Sequence, residues 1–539
     1  MAIDRKTVII LCLSIIVCAF FYLYKLDNRI LWEDECVTAN LAVNILKYGI
    51  PLGYDGKNRL IFTTNNDLNK NNVWIFSPWL NEYITAISFA ILGKNEFSAR
   101  LPFAVLGFLS VIFLTYLAWD IFKDKQIALM TLLLVMTSEV LILHSRQCRY
   151  YATVTFMQIL FIYAFYLLLH RRRRPGIVLM VIALTCQFYS NYLFIPGNII
   201  LLLCAGFAFR KKYHGIFRDS IITTGIVSIL AIIWVIYAQL WMQSMYVRSG
   251  SYYTSFIFYL LEINMSMFPL LMLLLIIFFH TSDYRFSNGI SKDMIFFILG
   301  MIPLQLVFAL SYSSTFLRYI IVLAPVFIIL QALILRKTPG LIRYAVLTIL
   351  CFTNFAGYFG LPLFNPVRAT TPYFQIQKPR LTLKEMFLER ITPYVNRSKD
   401  LIDFLSENTK PGQTLFLPTA GADFPVIFYT QLKVVNGAYD NPMSMEKPDW
   451  IFPLSVSGID DPFLKSKKYS NTDKSIISDT KTFSMDMPGL ADFLKQNYDM
   501  VEIEVHDTRG IGSVPQPDLY EYFTASGKML FTAYRKKLL

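Results

Sequence analysis

Residues 150–174 read YYATVTFMQILFIYAFYLLLHRRRR. From Tyr150 to Leu169 there is no charged side chain, and a helix of that length crosses a hydrocarbon core about 30 Å thick. Arg171 to Arg174 then close the stretch with consecutive cations. Short loops rich in lysine and arginine stay cytoplasmic, so one segment gives both a membrane crossing and its direction, with Tyr150 outside and the arginines inside.

The same pattern recurs on either side. Apolar stretches at 7–25, 100–119, 127–143, 150–169, 176–191, 193–209, 219–241, 255–280, 294–311, 317–335 and 342–360 predict about eleven transmembrane helices. Hydrophobic residues make up 55% of the chain and charged residues 16%, where a soluble protein carries about a quarter charged. The mean hydropathy of +0.46 agrees. The first stretch follows Arg5 and Lys6 as a signal peptide would, but it continues through Phe20, Phe21 and Tyr22 with no small-residue cleavage site, so it reads as an uncleaved span. With the N-terminus inside, the cytoplasmic ends collect Lys123 and Lys125, Arg171 to Arg174, Arg210 to Lys212 with Arg218, Arg285 and Lys292, and Arg336, Lys337 and Arg343. The short outer loops receive only Arg146, Arg149, Arg248 and Arg318. An odd number of crossings leaves residues 361–539 outside the cytoplasm.

The formal charge of +13 is mostly this inner basic layer, a signature of topology and of anionic membrane lipids, not of nucleic-acid binding. None of the seven cysteines falls in 361–539, which excludes a disulfide scaffold there. Cys36 and Cys148 both fall near the outer face, where they read as two small buried residues, with a bridge between them as the alternative. No CxxC, HExxH or zinc-ligand spacing occurs, so no metal ligand is assigned.

Two hydrophilic regions interrupt the membrane pattern. In the first outer loop, 26–99, Ala39, Ala42, Val43 and Leu46 recur at helical spacing before Gly49 and Pro51, predicting a short amphipathic helix along the membrane surface. A second apolar segment runs from Ser77, Pro78 and Trp79 to Gly93. In the tail, Leu401 to Leu405 reads as a helix, Gln413 to Leu417 as a strand, Val426 to Tyr429 as a helix, and Lys433 to Val435 and Trp450 to Leu454 as strands. Leu490 to Leu494 then reads as a helix and Met500 to Val505 as a strand. The expected architecture is an α-helical polytopic membrane protein, residues 1–360, with a C-terminal extracytoplasmic α/β domain, residues 361–539.

Costly polar groups cluster at the outer face. Glu33, Asp34 and Glu35 put three carboxylates at the start of the loop helix, more than an N-terminal cap requires. If residues 146–150 are helical, Arg146, Arg149 and Tyr150 share a face, with Tyr151 beside them. Arg318 and Tyr319 repeat the pairing. Guanidinium matches phosphate oxygens, whereas the bland alternative is snorkelling or pairing with Glu139.

These residues in this order resemble the GT-C glycosyltransferases. The acid pair Asp34 and Glu35, the segment from Ser77, Pro78 and Trp79 to Gly93, the run Ala99, Arg100, Leu101 and Pro102, and the Arg146 to Tyr151 cluster are similar to bacterial relatives of dolichyl-phosphate-mannose protein mannosyltransferases and of lipid A aminoarabinose transferase. The resemblance implies a GT-C-like fold and transfer of a sugar from a polyprenyl-phosphate donor to a lipid, glycan or other acceptor at the outer face of a bacterial inner membrane, with inversion. It assigns Asp34, with Glu35, to catalysis and Arg146, Arg149 and Arg318 to the donor phosphate. Tyr150, Tyr151, Trp79 and Glu139 would line the substrate. The chain departs from the aminoarabinose enzymes in reading Ile75, Phe76, Ser77, Pro78, Trp79 where they carry lysine before two prolines, and no inserted carbohydrate-binding domain interrupts a later loop. No cofactor is assigned, and a divalent metal is left open. The rival from another class is a transporter or flippase of lipid-linked glycans, for which Glu262 inside the eighth span is the best evidence.

Overall fold

The computed structural model describes residues 5–61, 67–242, 251–279, 289–312, 315–360, 379–417, 423–436, 447–452, 490–506 and 527–537. All eleven apolar stretches are mostly helical in their described parts, with breaks at Ser138, at 268–270 and at 353–354. The helices are α1 (Arg5–Leu23), α4 (Glu96–Phe122), α5 (Lys125–Thr137), α6 (Glu139–Ser145), α7 (Tyr151–Leu169), α8 (Arg173–Ser190), α9 (Ile195–Phe209), α10 (Ile216–Tyr237), α11 (Tyr252–Glu262), α12 (Leu271–Phe279), α13 (Gly289–Leu310), α14 (Ala324–Lys337) and α15 (Gly340–Phe352). Among the described residues, six are long and apolar enough to cross a membrane. Two bent pairs raise the number to eight: α5 with α6 at 54°, and α11 with α12 at 77°. The expected first, fifth and last spans fall outside that number. The described apolar part of α1 is Cys12–Leu23, α8 begins with two arginines, and α15 stops at Phe352 where Thr353 turns extended.

Apolar on all sides, α7 packs against α4, α8, α13 and α14. Buried amides hold four of these helices in register. Asn198 of α9 donates to Gln158 of α7 and Gln187 of α8, each at 2.8 Å, and accepts from Gln305 of α13 at 2.9 Å. With no water available, such groups must satisfy one another. Between α4 and α6 the approach is so close that a Cβ at Gly107 would collide with Ser145. That contact fixes the turn after α6, on which part of the site stands.

In the first outer loop, α2 (Glu33–Tyr48) ends where Gly49 takes φ +78° and returns its N–H to Ile45 O at 2.8 Å. The second apolar segment forms α3 (Leu80–Leu92). The amphipathic loop helix expected along the membrane surface is present, and it is more enclosed than one apolar face requires. Every residue from Glu35 to Ala42 is buried, because α3 packs on α2 from one side and a tail helix from another.

That tail helix is α18 (Asp423–Tyr429), following α16 (Thr382–Ile391) and α17 (Arg397–Asn408), with α19 (Leu490–Asn497) later. The strands β1 (Thr414–Leu417), β2 (Lys433–Asn436), β3 (Trp450–Ile451), β4 (Tyr498–His506) and β5 (Lys528–Lys536) form one sheet in the order β2-β1-β3-β5-β4. β1 runs parallel to β2 and β3, and β5 antiparallel to β3 and β4. Each expected tail element is present, although residues 453–454 of the expected third strand lie outside the described residues. α16 and β5 are additions.

The tail is bonded to the first loop along its length. Asn58 donates to Leu432 O at 2.9 Å and accepts from Val434 N at 2.8 Å. Leu31 N donates to the Tyr429 hydroxyl at 2.8 Å, Arg29 pairs with Glu389 at 2.8 Å, and Arg390 donates to Phe21 O at 3.1 Å. Cys36 and Cys148 are free and buried.

Candidate active site

Two neighbouring acids in the first turn of α2 go to opposite fates. Glu35 has no exposure and receives Arg100 in a two-pronged pair, Nε to Oε1 at 2.8 Å and Nη2 to Oε2 at 2.6 Å. Cys148 N also donates to Oε1 at 2.8 Å, and Trp32 N to Oε2 at 3.3 Å, which closes the N-terminus of the helix. Arg100 spends its remaining N–H groups on the carbonyls of Leu26, Arg29 and Ile30. Glu35 therefore fastens α2 to α4 and to the turn before α7, and it lies outside the cavity.

Asp34, one residue earlier, lines a cavity of about 280 Å³. Its Oδ2 accepts from Arg318 Nη1 at 2.9 Å and lies 3.7 Å from Arg149 Nη2. Arg149 is held in turn by Asp34 O and by the Thr38 hydroxyl, each at 3.1 Å. Arg318 stands in the 3₁₀ turn Leu317–Leu323 that opens the span before α14, with Phe316 and Tyr319 against its guanidinium. The rest of the wall comes from Tyr150, Tyr312 and Tyr319, from Asp67, Trp74 and Phe76 of the first loop, and from Asn81, Glu82, Ser190 and Asn191. Some buried donors nearby have no hydrogen-bond partner, namely Arg149 Nε, Trp32 Nε1 and the Tyr151 hydroxyl. Two half-buried cations beside buried donors without partners are suited to an anion.

Other expected site residues stand elsewhere. Arg146 does not share a face with Arg149, because α6 ends at Ser145 and residues 146–150 form a turn in place of helix. Its guanidinium donates to the carbonyls of Tyr24 at 2.9 Å and Lys25 at 2.8 Å, closing the C-terminal end of α1. Glu139 pairs with Arg380 at 2.6 Å and lines a different cavity, of about 80 Å³. Trp79 donates from Nε1 to Trp74 O at 2.7 Å and packs edge-on against Trp234 and Tyr237, joining α3 to α10 beside the main cavity. Tyr151 is buried between His144 and Tyr150. Glu262 ends α11 where the helix widens into a π turn, Ile263–Met267, away from the main cavity.

The sequence reading overlooked Glu82. It is 4% exposed, its Oε2 has no partner, and burial pushes its carboxyl up to about 7. An acid within the apolar run 80–92 was the available signal. Among the described residues no three histidine, cysteine or acidic side chains gather as a metal site.

Residues 77–241 match the family model described as dolichyl-phosphate-mannose-protein mannosyltransferase, a segment that contains Asn81, Glu82, Arg149 and Tyr150 but neither Asp34 nor Arg318. No curated protein compared with the chain matches it. Two solved structures of ArnT from Cupriavidus metallidurans do. The apo form aligns at a TM-score of 0.54 with 14% identity over 80% of this chain and 86% of that one. The form bound to undecaprenyl phosphate aligns at 0.51 with 15% identity over 81% and 86%. At such identity the likeness is one of fold, and it extends well beyond the segment matched by sequence. The chain is an integral, multi-pass membrane protein with the fold of the GT-C glycosyltransferases.

Proposed function

We propose that the protein transfers a sugar from a polyprenyl-phosphate donor to a lipid or glycan acceptor at the outer face of a bacterial inner membrane, and that the 280 Å³ cavity is where it does so. One observation carries this reading: Asp34, the only acid of its cluster lining the cavity, is held there by Arg318 and Arg149. The donor phosphate competes with Asp34 for the two guanidiniums. As the arginines turn to the phosphate oxygens, Asp34 is released to accept a proton. The acceptor hydroxyl then attacks the anomeric carbon. Its O–H bond breaks toward Asp34, the new C–O bond forms, and the bond from the anomeric carbon to the phosphate oxygen breaks, with the arginines stabilising the departing polyprenyl phosphate. A single displacement of this kind inverts the anomeric centre. The ArnT structure with undecaprenyl phosphate supports the choice of donor class by analogy of fold.

The test is genetic and chemical together. Deleting the gene should make a lipid-linked sugar accumulate, and the wild-type gene should clear it while Asp34→Asn does not. Clearance by Asp34→Asn would end the assignment. The second reading, a transporter of lipid-linked glycans, is favoured by the bent pairs α5–α6 and α11–α12, whose breaks both line the 80 Å³ cavity. It requires the glycolipid to change leaflet without losing its sugar, which lipid extraction distinguishes.

A further inference from the structure

The main cavity has a second pole that the phosphate chemistry leaves unused. Glu82 lies on α3, in the wall shared with Asn81, Ser190 and Asn191. Its neighbour Asn81 is engaged at both ends of its amide: Oδ1 accepts from the Thr153 and Ser190 hydroxyls at 3.1 and 3.0 Å, and Nδ2 donates to Ser190 O at 3.0 Å. Glu82 Oε2, by contrast, is buried without a partner. An ionised carboxylate oxygen in that position is expensive, whereas a protonated one becomes a donor that needs an acceptor.

We propose that Glu82 works as a neutral carboxylic acid and donates a hydrogen bond to an oxygen of the sugar carried by the donor lipid, so that it reads the sugar while Arg149 and Arg318 read the phosphate. The inference rests on the glycosyltransferase reading of the same cavity. Burial, which raises the carboxyl to about 7, keeps much of it protonated near neutral pH. The groups facing it are Asp34 from α2, Asp67 from the loop before α3, Arg149 and Tyr150 from the turn before α7, Tyr312 after α13, and Arg318 and Tyr319 from the 3₁₀ turn. From α8 come only Ser190 and Asn191, which do not titrate. On the α4 side of α3 stand Glu96 and Arg100, the latter committed to Glu35. No histidine lines the cavity among the described residues. A hydrogen bond from Glu82's own backbone N–H and, after it, the positive Arg149 oppose the upward shift without cancelling it.

The probes are undecaprenyl-phosphate-linked mannose and undecaprenyl phosphate, bound to the purified full-length protein in detergent at pH 6 and pH 8.5. The sugar-linked lipid is a phosphodiester with no proton to lose in that range, so its pH response belongs to the protein. Because the acid form is the binding form, affinity is full below about 7 and falls as pH rises through it. Wild type should bind the sugar lipid about tenfold more weakly at the higher pH, the ratio of one hydrogen bond. Glu82→Leu should show the weaker affinity at both pH values, and Glu82→Gln, whose amide also donates, should recover most of it and respond to neither. At constant pH, all three should bind undecaprenyl phosphate alike. Infrared difference spectra should show a protonated-carboxyl C=O stretch that titrates near neutrality in wild type and is missing from Glu82→Gln. Absence of that band, or Glu82→Leu binding the sugar lipid as wild type does, overturns the proposal. Failure of wild type to bind undecaprenyl phosphate at all overturns instead the reading on which it rests.

Discussion

Asp34 Oδ2 accepts a 2.9 Å hydrogen bond from Arg318 Nη1, across 284 positions of sequence. The acid stands in the first outer loop and the arginine at the start of a late span, so neither can be placed without the whole bundle between them. The pair also means that the cavity holds its own internal anion, and any incoming phosphate must compete with it.

Replacing Arg149 or Arg318 by Ala should therefore weaken undecaprenyl phosphate binding by about tenfold or more, the range of a charge-assisted hydrogen bond. Lysine at either position keeps the charge and loses the planar fork, so its loss should be smaller. Equilibrium binding in detergent checks this. Unchanged affinity in both alanine variants would remove the phosphate site.

Asp34→Asn should reduce transfer by about 10²-fold or more, the usual contribution of a general base. The same change removes the competitor for the guanidiniums, so undecaprenyl phosphate affinity should hold or rise. A parallel fall in affinity and rate would mean that Asp34 organises the arginines and does not take the proton.

Glu35→Gln, at the adjacent position, should behave differently. It leaves Arg100 buried without its counter-charge, and breaking such a pair from one side costs about 3–5 kcal/mol. Thermal unfolding of the purified protein should show a large drop that Asp34→Asn does not share. A fully stable Glu35→Gln protein with no transfer would falsify this division and return Glu35 to the chemistry.

Arg146→Ala removes the group that closes α1 and should destabilise the protein by about 1–3 kcal/mol while leaving undecaprenyl phosphate affinity unaltered. Loss of lipid affinity at normal stability would restore Arg146 to the site.

Topology has its own check. A reporter active only in the cytoplasm should be active when fused after Arg174 and silent after Leu539. Activity after Leu539 would reverse the orientation drawn from the basic loops.

The membrane character, the helices of the first loop and most tail elements were legible in the sequence because each rests on local periodicity and on stop signals such as Gly49 and Pro51. Asp34, Arg149 and Arg318 were legible as costly charges near the ends of apolar stretches. Their contact was not, since no spacing rule links positions 34 and 318. Arg146 misled for a related reason: helical spacing gave it a shared face with Arg149, but the chain turns after Ser145. Glu35 resembled Asp34 in type and place, and only the partner, Arg100, separates their roles. β5 runs Met529, Leu530, Phe531 without a polar break, so it lacks the apolar–polar alternation that would have marked it as a strand.

The bonds from Leu31 to Tyr429 and from Phe21 to Arg390 have a consequence for how the molecule is made. Synthesis runs from the N-terminus at several residues per second, so Asp34 emerges long before Arg318, and Arg318 before the segment that covers α2. During that interval the Leu31 N–H and Arg29 lack their final partners. Binding competence should therefore appear in one step, when the last third of the chain has packed onto the first loop, and a ribosome stalled before Tyr429 would leave an inserted but inert protein. Chains arrested at successive lengths and assayed for undecaprenyl phosphate binding would time that step.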